Sequence, residues 1–207
     1  MTKGHPDRAE AEKIWQDGIN HHLAKPYGFN MVEEYKKHSR GVGKAAETIA
    51  AKVLGMDSEK AFVLGLLHDY GKRVDEKIEQ VFHGRDGYEE LMRLGYPTSA
   101  RICLTHTFPN KNFTDDEFVF PKDWIDWAKT ALSTVEYDDY DLLIIMCDKM
   151  FEAGQIIPME KRVDCIVNRY NLPKHQKEML LIQSSELRKY FTDKLGKDVY
   201  DVLGIKE

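Results

Sequence analysis

Apolar residues recur at helical spacing through most of this chain, and no stretch alternates apolar with polar long enough to make a convincing strand. Val42, Ala45, Ile49 and Val53 follow His38 along one helix face at intervals of three or four. Ala61-Phe62-Val63-Leu64-Gly65-Leu66-Leu67 is apolar all round, the pattern of a buried helix. Breakers and caps divide the chain. A first helix is predicted over roughly 6–23, with Pro6 near its start and Tyr27-Gly28-Phe29-Asn30 as its break. A second runs from about 31 to 54 and closes at Gly55; a third follows Asp57 or Ser58 as N-cap and ends at Gly71. A fourth covers about 85–94 before Gly95, and a fifth opens on Thr98 or Ser99 and reaches about His106. Residues 108–121 are polar, with Phe108, Phe113 and two prolines but no helical period, so they read as a long loop. Helices follow at about 123–133, 139–153, 159–170 and 174–195. The predicted fold is all-α. A single domain over 1–207 divides into an N-terminal helix and turn (1–30), a core (31–153) and C-terminal helices (154–207), the last two a potential appendage.

Composition narrows the class. At 207 residues the chain is long enough for one substantial core and short for two domains. A net charge of -5 points away from general affinity for nucleic acid. Cys103, Cys147 and Cys165 are widely spaced, with no CxxC pair, which excludes a disulfide framework and a thiolate zinc site and fits a reducing cytoplasm. No apolar run approaches membrane-spanning length. A cytoplasmic protein with no membrane partner is expected, and nothing indicates an oligomer.

The candidate chemistry lies on the apolar faces. His68-Asp69 ends the most hydrophobic run, where an unpartnered carboxylate would be costly to bury. His38 shares the stripe of its helix, His106 follows Ile102 and Cys103, and Asp148 ends Leu142-Leu143-Ile144-Ile145-Met146-Cys147. Taken singly, each has a plain alternative: a core histidine bonded to a carbonyl, an internal ion pair for Asp148, a surface or capping role for His83. His5, His21, His22 and His175 have polar or loop-like neighbours and keep that reading. Several inward ionisable groups on successive helices are tolerable together mainly if a metal organises them. Helical bundles build metal sites in this way.

Gly65-Leu66-Leu67-His68-Asp69-Tyr70-Gly71-Lys72 resembles the G-L-L-H-D-I-G-K core of the HD superfamily of metal-dependent phosphohydrolases. His83-Gly84-Arg85-Asp86-Gly87 is similar to the H-x-x-x-G element of the subgroup with extra histidines, and Ile102-Cys103-Leu104-Thr105-His106 to its later histidine. The resemblance covers roughly 31–153. It implies an HD-type helical bundle with a metal site in its core. His38, His68, Asp69 and Asp148 would hold one metal, and Asp69 would bridge to a second held by His83 and His106. Where some two-metal members carry consecutive histidines, this chain has His106-Thr107.

The implied activity is a hydrolase of phosphoester or phosphoanhydride bonds in a small phosphorylated metabolite, a nucleotide first. The subgroup that splits dinucleoside tetraphosphates and some HD phosphodiesterases share the pattern. Asp69 and Lys72 are the candidate catalytic residues. Lys72, Arg40 and Lys111 are candidate phosphate contacts, with Arg73 weaker. Lys72 has a helix-dipole alternative, and Phe108 and Phe113 read better as loop packing than as a base stack. The cofactor is one or two divalent ions, iron or manganese first, with zinc, nickel, cobalt or magnesium as alternatives. Two other classes remain: a non-catalytic metal- or nucleotide-binding regulatory module, and a di-iron oxygenase on the same scaffold.

Overall fold

Ten α-helices and one two-stranded hairpin make up the described residues of the computed structural model, 4–23, 29–73, 83–111, 113 and 121–206. The break at Tyr27-Gly28, the Arg73 side chain and most of the 108–121 loop fall outside them. The helices are α1 (Arg8–Leu23), α2 (Phe29–Ala50), α3 (Ser58–Leu67), α4 (His83–Arg93), α5 (Pro97–Thr105), α6 (Lys122–Ser133), α7 (Asp139–Asp148), α8 (Met159–Tyr170), α9 (Lys174–Leu195) and α10 (Val199–Leu203). None is long and apolar enough to cross a membrane.

Helix α3 is the hub, because every residue from Ala61 to Leu67 is buried. One side carries Ala61 and Leu64 into a core shared with Val42, Ala46 and Ile49 of α2, Ile102 of α5, and Leu143, Ile144 and Met146 of α7. The other carries Phe62, Val63 and Leu66 against Ala11, Trp15 and Ile19 of α1 and Leu91 of α4. The α2–α3 approach depends on paired glycines: a Cβ at Gly65 would lie 2.7 Å from the Gly43 Cα. The C-terminal helices complete the first core, since Phe191 of α9 and Val199 and Tyr200 of α10 are buried in it.

Several boundaries differ from the sequence reading, α2 ending at Ala50 and α4 starting at His83 among them, and one short helix was not predicted. Helix α3 stops at Leu67 rather than Gly71, and the chain tightens into a 3₁₀ turn over Tyr70–Arg73. Packing decides this: a Cβ at Gly71 would collide with the His83 carbonyl oxygen, so the turn lies flat against α4. Helix α7 ends at Asp148 rather than 153, and β1 (Phe151–Glu152) pairs antiparallel with β2 (Gln155–Ile156). Its turn holds Ala153 and Gly154 at φ 48° and 75°. Positive φ at both central residues is the hairpin type usually marked by Asn-Gly or Asp-Gly, and Ala-Gly does not announce it. Helix α5 begins with Pro97 at N1 behind Tyr96, with no side-chain cap from Thr98 or Ser99. Helix α10, capped by the Asp198 side chain, is five residues long and too short to show a period.

The hairpin fixes α2 beside the site. The Phe151 ring occupies the space a Cβ at Gly41 would need, and stands edge-on to His38 with centroids 6.3 Å apart. Phe108 and Phe113 stack at 4.6 Å and pack on Trp124 of α6, as loop packing requires.

Candidate metal centre

Five segments converge on one carboxylate. Helix α2 supplies His38, the end of α3 supplies His68 and Asp69, and α4 supplies His83 at its first residue. His106 caps the C-terminus of α5, and Asp148 is the last residue of α7. Buried Asp69 divides its two oxygens between two sets. Oδ2 lies 3.3 Å from His38 Nε2 and 3.5 Å from His68 Nε2. Those two nitrogens are 3.2 Å apart, and Asp148 Oδ1 is 3.0 and 3.7 Å from them. Oδ1 lies 3.3 Å from both His83 Nε2 and His106 Nε2, themselves 3.3 Å apart. His38, His68 and Asp69 form one cluster able to hold an ion, and Asp69, His83 and His106 a second.

The spacing fits a metal. Donors about 2.0–2.2 Å from a shared ion stand roughly 3.0–3.6 Å apart in octahedral or tetrahedral geometry. The tautomers fit as well. His68 Nδ1 donates to the Gly65 carbonyl at 2.7 Å, and His106 Nδ1 to the Ile102 carbonyl at 3.0 Å. With those protons committed, each neutral ring turns the Nε2 lone pair toward a carboxylate oxygen and another imidazole. Acceptors facing acceptors in a buried space call for a cation among them.

The titration pattern has the same origin. Burial pushes the His68 and His83 imidazoles down, against the opposing pull of Asp69, which favours the neutral ligand form. Burial also lowers His38, but Asp148 and Asp69 outweigh it and raise the ring above its ordinary value. For Asp69, burial is overcome by Lys72 and His68, which hold the carboxyl well below the usual range. Asp148 is likewise held low by His38 and His68 against burial. Exposure among the ligands is uneven: His38 and Asp148 keep 19% and 27% of their side chains exposed, while His68 and Asp69 keep 0% and 2%.

The six candidate ligands are therefore brought together, and the phosphate candidates separate. Lys72 donates to Asp69 Oδ2 and stays 37% exposed, a cation at the mouth of the site. Arg40 does not join it. Its guanidinium pairs with Glu12 at 2.7 and 3.0 Å and stacks over Trp15, both of α1. Two residues along a helix is about 200°, so a neighbour of His38 in sequence points elsewhere. Lys111 reaches the Val135 carbonyl and Glu136 Oε1, each at 3.3 Å. Lys149, the ion-pair partner that the plain alternative offered for Asp148, was given no functional role in the sequence reading. Its amine donates to Gln183 at 3.4 Å and burial lowers it to about 8, opposed by Asp148. It also gave no role to Arg101, Thr105 and Asp141; the available signal was Asp141 seven residues before Asp148 on the same apolar helix.

Residues 35–149, more than half of the chain, match the HD domain family. Ribonuclease Y of Thermus thermophilus is 36% identical over 85 residues, 41% of this chain and 14% of that protein. Ribonuclease Y of Lactobacillus helveticus is 49% identical over 53 residues, 26% of this chain and 9% of that protein. The chain thus spans 14% or less of the length of these relatives. No solved structure gives a significant match.

Proposed function

This chain belongs to the HD domain family of metal-dependent phosphohydrolases, and on that premise we propose that it hydrolyses a phosphoester or phosphoanhydride of a small metabolite, a nucleotide in the first instance. The observation that carries the reading is Asp69, one carboxylate facing two histidine sets through its two oxygens. His38, His68, Asp69 and Asp148 would hold one ion, and Asp69, His83 and His106 a second. All-imidazole and carboxylate donors suit manganese, iron, zinc, cobalt or nickel better than magnesium. Such an ion lowers the pKa of bound water toward neutrality and offsets charge on phosphoryl oxygens.

The chain's own groups do the rest. His68 and His106 are oriented by their Nδ1–H bonds to backbone carbonyls, so they need no rearrangement on loading. Lys72, partly exposed beside Asp69, would meet a phosphoryl oxygen. In the reaction the water oxygen bonds to phosphorus, the phosphorus–oxygen bond to the leaving group breaks, and that group takes up a proton.

The relatives' name supports a second reading, cleavage of RNA phosphodiesters. The net charge of -5 weighs against an extended polyanion surface. Full-length protein loaded with manganese or iron should be offered nucleoside mono-, di- and triphosphates, dinucleoside polyphosphates and a short single-stranded RNA. Turnover of a nucleotide with the RNA intact is expected. Cleavage of RNA alone would favour the second reading. No turnover of either by fully loaded protein would leave a regulatory module, and oxygen consumption with ferrous iron would leave an oxygenase.

A further inference from the structure

A buried ion pair joins two of the helices that end at the metal centre, using residues outside the ligand set. Asp141 of α7 is fully buried, with 0% of its side chain exposed. Its Oδ1 accepts from Thr105 Oγ1 of α5 at 2.7 Å, and its Oδ2 lies 2.9 Å from Arg101 Nη2 of the same helix. Oδ2 also accepts from the Asp138 backbone N–H at 2.8 Å, closing the first turn of α7. Arg101 extends the network to Asp138 Oδ2 at 2.6 Å and the Glu136 carbonyl at 3.2 Å.

The places of these residues matter more than their number. Thr105 is the chain neighbour of His106. Arg101 and Thr105 are one turn apart on α5 and flank Ile102, whose carbonyl orients the His106 ring. Asp141 precedes Asp148 by two turns of α7, which puts both on nearly the same helix face. One carboxylate therefore ties the helix ending in a ligand of the His83–His106 set to the helix ending in a ligand of the His38–His68 set. Stability does not account for this. Burying a charged pair loses in desolvation about what it gains in attraction, and apolar replacements are often neutral or better. What a buried pair does well is fix register.

We propose that Thr105, Asp141 and Arg101 are positioning residues that lock α5 against α7 and so hold the two halves of the metal centre in register. The inference rests on the two-ion reading of the site. It predicts that weakening the clamp disturbs the ion shared with His106 before the ion held by His38 and His68.

The test is a manganese titration of the full metal-free chain, followed by electron paramagnetic resonance, with the thermal midpoint of the metal-free protein measured alongside. Thr105→Val keeps the shape and removes the donor; Thr105→Ser returns the hydroxyl. The His38–His68 set, with four donors against three, should fill first, and that step should be unchanged in Thr105→Val. The second should weaken by about 10–100-fold, as for other groups that support ligands from behind. Thr105→Ser should restore it, and the midpoint of Thr105→Val should fall only by what one buried acceptor left without its donor costs. Arg101→Gln, at a position that is 24% exposed, is an independent variant expected to weaken the second step in the same way, with a lower midpoint because Asp141 loses its cation. An unchanged second step in either folded variant overturns the inference, as does equal weakening of both steps together with a fallen midpoint. A parent chain that binds a single ion overturns the two-ion reading and this inference with it. A parent that binds two ions beside an unaffected Thr105→Val variant overturns the inference alone.

Discussion

Asp69→Ala is expected to reduce hydrolysis to background, a fall of at least about 10³-fold or about 4 kcal/mol of barrier, and to leave less than one ion bound per chain. The reason is the division of its oxygens. Oδ2 lies 3.3 Å from His38 Nε2 and Oδ1 3.3 Å from His83 Nε2, so a single truncation removes a donor from both sets. The fold should survive. The partner left behind, Lys72, is 37% exposed and can turn its ammonium to water. Asp69→Asn keeps the shape and separates charge from volume: its metal content and rate should fall with the alanine variant, while its thermal midpoint stays near that of the metal-free parent. Phosphate release, elemental analysis and a melting curve on the three proteins check this. Parent-like turnover in folded, metal-free Asp69→Ala protein would refute it.

Removing metal should lower the thermal midpoint as well as abolish activity. An ion that binds the folded chain and not the unfolded one stabilises it by about 2.7 kcal/mol at a hundred times its dissociation constant. For a chain of this size that is roughly 5–10 °C. The increment should depend on pH with a definite sign. The metal requires neutral His38, whose folded-state value is raised above the ordinary histidine pKa by Asp148 and Asp69. In metal-free protein that raised value contributes stability fully present below the unfolded pKa of about 6.5 and lost as pH rises through the folded one. In loaded protein the competing proton leaves over the same window, so metal affinity rises. The gap between loaded and metal-free midpoints should therefore widen as pH rises through the raised His38 value. His68 and His83, pushed down by burial, are already neutral there. Melting curves with and without chelator across neutral pH measure the gap; a constant gap would show that His38 is not displaced of its proton.

The site was legible in the sequence where chemistry met periodicity. His38, His68 and Asp148 each lie on an apolar stripe that says which way the helix faces, and His68-Asp69 ends a run too hydrophobic to leave a carboxylate unpartnered. His83 carries no such signal. Followed by Gly84, Arg85 and Asp86 it reads as a surface or capping residue, and only the resemblance of its spacing to Gly87 placed it inside. Its burial depends on Gly71 and Gly87, which let the turn after Asp69 press on α4: a Cβ at Gly87 would meet the Gly71 nitrogen at 3.0 Å. Neither the closeness of Arg40 to His38 in sequence nor the place of Lys111 on the long loop says which way a charge points; they pair with Glu12 and Glu136. The hairpin after Asp148 was invisible, since two-residue strands show no alternation and Ala153-Gly154 lacks the usual turn residues. Nor could the Thr105–Asp141 bond be read, because it joins residues 36 apart and depends on the packing of α5 on α7.

Anomalous diffraction from crystals of the manganese-loaded chain, recorded on both sides of the manganese edge, would locate the ions themselves. Two peaks are expected, one on each side of the Asp69 carboxylate: the first within ligand distance of His38, His68 and Asp148, the second of His83 and His106. A single peak, or strong peaks that leave Asp69 uncoordinated, would contradict that arrangement.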